Sequence, residues 1–281
     1  MPLSLEEQAA IAGAVADASR THIMPRFRRL DAKDIATKTS SLDLVTEADI
    51  LAEEQLRLSL GAILPEARVI GEEGVSKDPS ELDALKNPGL AVVIDPVDGT
   101  WNFAHGLSLF GTIVAVIEDG ETIYGLLYDP VNDDFIEASK GAGAWYVAGT
   151  KRTRLTLPTP PIHAEMTGIH SAYGLNDAQW LASAAIYPRF GRMTQLRASV
   201  WDYRSLVTGS AGFALNRYLN VWDHAAGVLA LTEAGGHAAL LDGTPYQPAL
   251  RTGYLLAAQS ETLWHEIAAL FRPAILDLAT S

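Results

Sequence analysis

Three segments of the chain combine a helix-start signal with apolar residues that recur every three or four positions. Ser4 followed by Glu7 matches a capping box and predicts an amphipathic helix that ends near Pro25. Thr46 with Asp49 predicts a second helix by the same reasoning. The serine that opens SETLWHEIAALF predicts the N-cap of a terminal helix. We expect two helices to precede the first strand.

Short apolar runs between turn residues predict strands in the first half of the chain. Asp119 and Gly120 form a two-residue hairpin signal between two such runs. An antiparallel arrangement is expected for the strands that follow the hairpin. The predicted strands cover 67–71, 92–94, 112–117, 122–128 and several segments within 135–155.

The sequence LPTPP at 157–161 is a linker signal, because proline supplies neither ladder donors nor helix continuity. It divides the chain into a predicted N-terminal α+β domain, residues 1–157, and a predicted C-terminal α/β domain, residues 158–281. Helices and strands alternate in the second part. The pattern there predicts a helix around 178–186, a strand near 194–198, a helix from Tyr203, a strand near 213–219 and a helix that opens at Asp223.

Length and composition describe a globular protein with a substantial core. The chain has 281 residues, of which 48% are hydrophobic, and its mean hydropathy is +0.09. The first residues, MPLSLEEQAA, are acidic and polar, unlike a secretory signal. No apolar run approaches the roughly 20 residues of a membrane span. We therefore expect a soluble, cytoplasmic protein that binds no membrane.

The charge and the absence of cysteine narrow the possible chemistry. A net charge of −13 opposes binding to nucleic-acid backbones, which proteins contact through Lys and Arg. Because the sequence contains no cysteine, disulfides, thiolate metal sites and a cysteine nucleophile are excluded. Any metal would be held by oxygen or imidazole ligands, and oxygen ligands favour Mg²⁺, Mn²⁺ or Ca²⁺.

The segment AVVIDPVDGTWNFAHG at 91–106 carries the most specific chemical signal. A short buried strand leads into Asp95 and Asp98, and Pro96 is expected to force a turn because it cannot continue an ordinary central strand. Gly99 is free to adopt a left-handed conformation, and the next residues start a helix whose unpaired N–H groups attract anions. Two interpretations stay open for the aspartates taken alone. Asp95 could be a turn former and Asp98 an N-cap, or both could be metal ligands.

Other acidic residues stand at strand ends or helix starts in the same way. Several such carboxylates favour a site for two divalent ions, about 3.5 to 4 Å apart, that act on the attacking and leaving oxygens of an in-line displacement. Each residue also has an ordinary structural explanation; Asp49, for example, could be only the partner in a capping box. The full set is Asp43, Asp49, Glu72, Glu73, Asp95, Asp98 and Asp223.

Four segments, in order and at similar spacings, resemble the inositol monophosphatase family within the lithium-sensitive, magnesium-dependent phosphatase superfamily. They are LDLVTEAD at 42–49, VIGEEG at 69–74, VIDPVDGTWNFAHG at 93–106 and VWDHAAGVLALTEAGG at 221–236. The resemblance covers nearly the whole chain, and the four motifs together are far more specific than any one of them. It implies a mixed α+β and α/β fold, the layered αβαβα sandwich of the inositol monophosphatase and fructose-1,6-bisphosphatase type, with the metal site where the two domains meet.

The resemblance also implies the ligands of two or three Mg²⁺ ions, which Mn²⁺ could replace. The first ion would be held by Glu72, Asp95 and the backbone carbonyl of Val97. The second would be held by Asp95, Asp98 and Asp223, so that Asp95 bridges the two ions. A third, weaker ion would be bound by Glu72 through water. Family members are usually homodimers, and Ca²⁺ or Li⁺ is expected to inhibit.

The implied reaction is hydrolysis of a phosphomonoester by in-line attack of a metal-activated water, without a phosphoenzyme. Glu72 and the Thr100 hydroxyl would position or deprotonate that water, and Asp49 would accept a hydrogen bond from Thr100. The backbone N–H groups of Gly99 and Thr100 would bind the phosphate. Lys38 also matches a family position near the site.

Some residues near these motifs are expected to have structural roles. His224 follows Asp223, and we expect a first-turn helix residue or a substrate contact there rather than a metal ligand. Trp101 and Phe103 follow the phosphate-binding turn, and we expect them to be packing residues rather than surfaces for a substrate.

The leaving-group half of the site departs from the family pattern. Inositol-specific members usually carry an acidic residue seven positions before the aspartate of the WD motif, and here that position is Asn216. The segment RASVWDYRSLVTG at 197–209 replaces the usual Arg-x-x-Gly-Ser/Thr-Ala pattern, so small residues near the expected pocket are replaced by larger ones. The predicted substrate pocket consists of Asp98, Asp202, Tyr203, Asn216 and Asp223.

Several functions stay open on these residues. The expected partner is a small phosphorylated metabolite, either inositol monophosphate or a similar monoester; histidinol phosphate, a sugar phosphate or bisphosphate, and adenosine 3′,5′-bisphosphate are alternatives. A bisphosphate should require extra basic residues lining the pocket, and we expect no basic cluster there; the group Lys151, Arg152 and Arg154 is an example of a basic run elsewhere in the chain. A non-enzymatic alternative is a metal- and phosphate-binding regulatory protein, which the intact set of acidic residues disfavours.

Overall fold

The structure is a computed structural model that describes residues 2–31, 34–38 and 44–278. Asp43, one of the acidic residues noted above, lies outside the described residues. None of the helices in these ranges combines the length and the apolar character that a membrane span needs.

The first helix begins where its cap predicts. Helix α1, Leu5–Ala18, starts after Ser4, whose Oγ accepts the N–H of Glu7 at 3.2 Å, while Glu7 Oε2 accepts the N–H of Ser4 at 2.7 Å. A single π-helical turn, Ser19–Ile23, then carries the chain to Pro25. The predicted capping box and the predicted end of the helix are both confirmed.

The expectation of two helices before the first strand is wrong. Strands β1, Ile35–Thr37, and β2, Leu44–Thr46, pair antiparallel before α2, Glu47–Ile63. Each strand has only three residues, so neither shows an alternation of apolar and polar positions that a sequence pattern could reveal. The second capping box is confirmed, because Thr46 caps α2 and Asp49 Oδ2 accepts the N–H of Thr46 at 2.8 Å.

The larger sheet has seven strands, all of which lie between residues 68 and 155. Its strands are β3 Arg68–Gly71, β4 Leu90–Asp98, β5 Gly111–Glu118, β6 Glu121–Asp129, β7 Asp134–Ser139, β8 Gly143–Ala148 and β9 Lys151–Leu155, and they lie side by side in chain order. β3 and β4 are parallel, and the other neighbouring pairs are antiparallel. At the predicted hairpin, Asp119 and Gly120 have φ values of 51° and 82°, as a two-residue type I′ turn requires. Two short helices, α3 Glu72–Lys77 and α4 Thr100–Ala104, follow β3 and β4.

The prediction that the chain turns at Pro96 is wrong. β4 continues through Pro96 to Asp98 with a bulge in its pairing to β5, because Asp95 lies opposite Ile113 whereas Asp98 lies opposite Gly111. A bulge leaves one residue out of the ladder, so it can accommodate a proline, which has no N–H to donate. The irregularity therefore lies between the two aspartates of the key motif.

The C-terminal half contains a five-stranded sheet flanked by helices. Its strands are β10 Thr167–His170, β11 Arg192–Thr194, β12 Phe213–Asn216, β13 His237–Leu240 and β14 Leu255–Ala258, in the order β11-β10-β12-β14-β13. β10 is parallel to both of its neighbours, and the remaining pairs are antiparallel. The helices are α5 Asp177–Ala184, α6 Ser199–Val207, α7 Val221–Glu233 and α8 Glu261–Ile275. The strand expected at 194–198 ends at Thr194 instead, and α6 begins before Tyr203.

Helices and sheets alternate in five layers. α1 and α2 cover one face of the larger sheet, α6 and α7 lie between the two sheets, and α8 with α5 covers the far face of the smaller sheet. One apolar core includes Val93 of the larger sheet, Ala226 of α7 and Ala257 of the smaller sheet. The expected αβαβα sandwich is confirmed. Residues 156–162 form neither helix nor strand, and the division into two domains there stays a prediction.

Close packing of α7 against both of its neighbours depends on glycine. A Cβ on Gly125 in β6 would lie 2.7 Å from the Cα of Ala226 in α7. A Cβ on Gly227 in α7 would lie 2.1 Å from the ring of Tyr203 in α6. Neither distance is sterically possible, so larger residues at these positions would push α7 away from β6 or α6. The position of α7 matters because its first turn carries Asp223.

We predict that Gly125→Val lowers the free energy of unfolding by about 2 kcal/mol, because its side chain cannot fit between β6 and α7. Gly13→Ala is the matched control, since a Cβ there meets nothing within 4 Å, and helix propensity should make that variant more stable by up to about 1 kcal/mol. Urea denaturation followed by circular dichroism measures both changes. Wild-type stability of Gly125→Val would contradict this account of the packing.

Candidate active site

β4 ends in a glycine turn that leads directly into a short helix. Gly99 has φ 85° and ψ 33°, the left-handed conformation expected for it. A side chain has no room there, because a Cβ would lie 2.8 Å from the carbonyl oxygen of Leu109 and 2.9 Å from the Cβ of Ala198. α4 begins at the next residue, Thr100, as predicted. Backbone N–H groups without helical partners therefore stand immediately after the two aspartates of β4.

Three carboxylates meet at this strand end. Oxygens of Asp95, Asp98 and Asp223 all lie within 4.8 Å of one another. Asp223 belongs to the first turn of α7, and its Oδ2 accepts a hydrogen bond from Asn220 Nδ2 at 3.0 Å. Asp95 and Asp98 are buried, and Asp223 is partly buried. The three side chains expected to hold one metal ion are thus brought together from distant parts of the sequence.

Asp98 also caps a helix, though not the one that follows it. Its oxygens accept the N–H of Ser199 at 3.1 Å and the N–H of Val200 at 2.6 Å, at the start of α6. The N-cap residue of α4 is Gly99, which has no side chain to form a capping bond. The interpretation of Asp98 as a cap for the following helix is therefore wrong. The residue instead ties the start of α6 to the end of β4.

The cluster holds negative charges that the surrounding protein compensates only in part. Burial raises the pKa of Asp95 well above its usual value, and the charges of Glu72 and Asp98 raise it further. The pKa of Asp98 is raised in the same way by burial and by Asp223. Burial, together with Glu72, raises the pKa of Asp223 to about 7. A divalent cation among these oxygens would remove the repulsion, and carboxylates are the ligands that hard cations such as Mg²⁺ prefer. The donor set therefore fits such an ion.

Glu72 lies beside this cluster rather than inside it. It is the first residue of α3, and its Oε1 pairs with Lys38 Nζ at 2.8 Å. The same ammonium group contacts Glu73 Oε1 at 2.6 Å. Burial alone would lower the pKa of Lys38, but the charges of Glu72 and Glu73 outweigh burial and raise it. Lys38 is therefore placed at the site as expected, as a cation shared by two glutamates.

Asp49 and Thr100 are joined by the hydrogen bond that the resemblance implies. The hydroxyl of Thr100 lies 3.1 Å from Asp49 Oδ1 and 3.0 Å from the carbonyl oxygen of Val97. Asp49 is fully buried, and Thr46 donates to its other oxygen. Burial raises the pKa of Asp49 to about 6. A hydroxyl has one proton, so Thr100 can donate to only one of these two acceptors at a time. Because the acceptors lie on both sides of the hydroxyl, they keep its oxygen in place.

A cavity of about 860 Å³ is lined by residues of this cluster and by both halves of the chain. Four predicted pocket residues contribute to its wall: Asp98, Asp202, Asn216 and Asp223. Glu72, Gly99, Thr100 and Lys38 line it as well. Trp101 also belongs to this wall, contrary to the expectation of a packing role, and the Arg197 guanidinium lies 3.8 Å from the centre of its ring system. Phe103 is fully buried in the core, as expected.

Tyr203 lies beneath the cavity rather than in its wall, so its predicted place in the pocket is corrected. It is 1% exposed, and its hydroxyl lies 3.0 Å from His224 Nδ1. His224 Nε2 lies 2.6 Å from the carbonyl oxygen of Tyr218, so both ring nitrogens have partners. Burial lowers the pKa of His224 to about 4. Among the described residues, the two rings thus connect α6 with α7, and their polar atoms face each other and the backbone.

Glu53 also contributes to the site, although it is not among the acidic residues that the sequence motifs select. Its carboxylate, on the buried face of α2, accepts the N–H of Glu73 at 2.7 Å and the N–H of Gly74 at 2.9 Å, so it caps α3. Arg57 Nε donates to the same carboxylate at 3.0 Å. A Cβ on Gly71 would lie 2.1 Å from the Glu53 carboxyl carbon. Glu53 thereby fixes the helix that begins with Glu72. Glu53 lies four residues after Asp49, so both residues belong to one face of α2. This spacing was the sequence signal from which Glu53 could have been found.

We predict that Glu53→Gln lowers the free energy of unfolding by about 2 kcal/mol, because the amide NH₂ cannot accept a hydrogen bond from an α3 N–H or from Arg57. Glu54→Gln changes an exposed neighbour on the same helix, and its stability should stay within about 0.5 kcal/mol of wild type. Urea denaturation of both variants makes the comparison. Equal stability of the two would show that the Glu53 carboxylate does not hold α3.

Comparison with known proteins agrees with this geometry. The sequence model of the inositol monophosphatase family matches residues 4–276. The chain is 29% identical to the inositol-1-monophosphatase of Bacillus subtilis, over 75% of this chain and 78% of that protein. It is 31% identical to the histidinol-phosphatase of Streptomyces coelicolor, over 84% and 87%. A solved Thermotoga maritima IMPase has the same fold, with a TM-score of 0.82, 22% identity and coverage of 97% and 99%. Since the family match spans every element that carries the carboxylates, this chain belongs to the inositol monophosphatase family and is a phosphatase.

Proposed function

We propose that the protein hydrolyses a small phosphomonoester with Mg²⁺ as its cofactor. The observation that supports this proposal most strongly is the group formed by Asp95, Asp98 and Asp223, whose oxygens lie within 4.8 Å of one another at the wall of a cavity. The same cavity wall includes Gly99 and Thr100, the start of α4. Carboxylates that repel one another, next to free backbone N–H groups, suit a doubly charged cation together with a phosphate.

The proposed ligand roles are those that the family resemblance implies, and the grouping of Asp95, Asp98 and Asp223 supports one of the ion sites. Asp95, Asp98 and Asp223 would hold one ion, and Asp95 would share a second ion with Glu72 and the carbonyl of Val97. A third ion near Glu72, replacement by Mn²⁺, and inhibition by Ca²⁺ or Li⁺ belong to the same proposal. Bound divalent ions would supply the nucleophile, by lowering the pKa of a water that attacks phosphorus in line, and would neutralise charge on the phosphate and the leaving oxygen.

The protein's own groups would orient the phosphate and accept a proton. The N–H groups of Gly99 and Thr100 would bind phosphate oxygens at the start of α4. Thr100, held by Asp49 and by the carbonyl of Val97, would keep its hydroxyl at a fixed position beside the reacting centre. Glu72 forms an ion pair with Lys38. Its carboxylate would orient the attacking water and take its proton.

The charge of the cavity wall favours a substrate with one phosphate group. Among the described residues that line the cavity, Lys38 and Arg197 are the cationic ones. Lys38 is already shared by two glutamates. A second phosphate on the substrate would need basic side chains of its own, so a monoester is preferred to fructose 1,6-bisphosphate or adenosine 3′,5′-bisphosphate. The homodimer and the cytoplasmic location expected from the sequence stay predictions.

Phosphate release from a panel of phosphorylated metabolites tests the proposal. We expect turnover with Mg²⁺, loss of turnover after removal of metal by EDTA, and recovery when Mg²⁺ is restored. Asp95→Asn should lower kcat by at least about a hundredfold, because the bridging carboxylate is lost. Glu66→Gln, at an exposed position, should retain the wild-type rate. A panel without any phosphate release would contradict the proposal and favour a regulatory protein, and so would a wild-type rate for Asp95→Asn.

A further inference from the structure

Two flat side chains, those of Arg197 and His105, stack on the indole ring of Trp101. The Arg197 guanidinium lies 3.8 Å from the ring centre, and the imidazole of His105 lies 3.9 Å away at an angle of 20°. His105 Nδ1 also lies 2.7 Å from the carbonyl oxygen of Trp101. Trp101 and Arg197 both line the cavity. The indole ring is thus a flat support for a guanidinium in the cavity wall.

The backbone around Arg197 is anchored next to the proposed phosphate-binding turn. Arg197 has φ 57°, a left-handed conformation that is costly for a residue other than glycine. Just before it, the carbonyl oxygen of Leu196 accepts a hydrogen bond from Asn102 Nδ2 at 2.8 Å. Just after it, the N–H of Ser199 donates to Asp98 at 3.1 Å. Because Asp98 and Asn102 flank the turn in the sequence, the Arg197 side chain starts from a fixed point beside it.

The charge of Arg197 is not neutralised within the part of the chain that the structure describes. The residue is exposed, and its guanidinium has neither a hydrogen-bond acceptor nor an ion-pair partner in that part. Partial burial lowers the pKa of Arg197, and no carboxylate among the described residues opposes that effect. Lys38, the second cation of the described cavity wall, is shared by Glu72 and Glu73. Arg197 therefore has N–H groups available to a molecule in the cavity.

The shape and charge of this group favour one kind of anion. A guanidinium that lies flat on an aromatic ring keeps its N–H groups available, because they lie in its own plane. Its planar fork matches the two oxygens of a carboxylate, each of which accepts one hydrogen bond. A phosphate monoester carries close to two negative charges, whereas one guanidinium compensates a single charge. A leaving group with hydroxyl groups alone would leave that charge unmatched. A carboxylate is therefore the group that Arg197 suits best.

We propose that Arg197, supported by Trp101, binds a carboxylate on the leaving group of the phosphomonoester. This inference rests on the proposed phosphatase function and specifies the substrate class of the same site. The substrate would carry two anionic groups of different kinds, a phosphate at the metal ions and the start of α4, and a carboxylate at Arg197. Arg197 is then a residue that determines specificity. It begins the segment 197–209, in which the chain departs from the family pattern.

The test compares kcat/KM, with Mg²⁺, within pairs of esters that differ by one carboxylate. Glycerate 3-phosphate is matched by glycerol 3-phosphate, and 6-phosphogluconate is matched by glucitol 6-phosphate. In each pair a CH₂OH group replaces the carboxylate, and the pairs differ in the distance between phosphate and carboxylate. We expect the carboxylate ester of at least one pair to exceed its alcohol by about tenfold or more, because it gains hydrogen bonds between charged groups.

Variants of Arg197 show whether this preference depends on the guanidinium. Arg197→Gln should reduce the ratio of the two kcat/KM values to about one, chiefly by raising KM for the carboxylate ester. Arg192→Gln changes an exposed arginine of β11 that does not line the cavity, and it should keep the wild-type ratio. Arg197→Gly is a second variant in case Arg197→Gln fails to fold, since glycine adopts the left-handed conformation without strain.

Three outcomes would overturn the inference and leave the proposed function standing. The first is equal kcat/KM values within both pairs for the wild-type protein. The second is an equal loss for both esters of a pair in Arg197→Gln, because Arg197 would then act on the phosphate or on the fold. The third is phosphate release from other monoesters but from none of these four. Absence of phosphate release from every ester would overturn both the inference and the proposed function.

Discussion

The buried repulsion between Asp95, Asp98 and Asp223 is the constraint on which the rest of the structure depends. Carboxylates confined within 4.8 Å of one another destabilise a fold unless other groups compensate their charge. The protein supplies part of that compensation through hydrogen bonds from Ser199, Val200 and Asn220. The remaining charge is what a divalent cation would bind. The cluster is therefore a place where the isolated chain holds buried charge that it compensates only in part, and the place where it would bind a metal ion.

The layered fold is the means by which these charges are held in place. The bulge in β4 carries two aspartates to the strand end, and α7 brings the third from the layer between the sheets. Glycines at 125 and 227 allow that helix to lie against β6 and α6 without side chains in between. On the opposite side, Glu53 of α2 holds the start of α3 and hence Glu72. Three of the five layers, the α1–α2 layer, the larger sheet and the α6–α7 layer, thus each contribute a support to the site.

Local features of this fold could be predicted from the sequence, whereas contacts between distant segments could not. Both N-terminal capping boxes and the hairpin at Asp119 follow from interactions within a few residues, so their signals are complete in the sequence. The prediction that the aspartates of β4 are metal ligands rests on four motifs that occur together along the chain. The cap that Asp98 provides to α6 depends on a residue 101 positions away, and no local pattern encodes it. The burial of Tyr203 depends in the same way on Gly227, in the neighbouring helix.

The central claim is that Asp95 bridges two divalent ions in the space between the carboxylates of β4, α3 and α7. A crystal structure of the protein with Mn²⁺ and inorganic phosphate, with data collected at the manganese absorption edge, tests it most directly. The account predicts two anomalous peaks that share Asp95 as a ligand, one of them also bound by Asp98 and Asp223, with phosphate oxygens at the start of α4. A structure in which Mn²⁺ is absent from this cluster, or in which Asp95 contacts no ion, would contradict it.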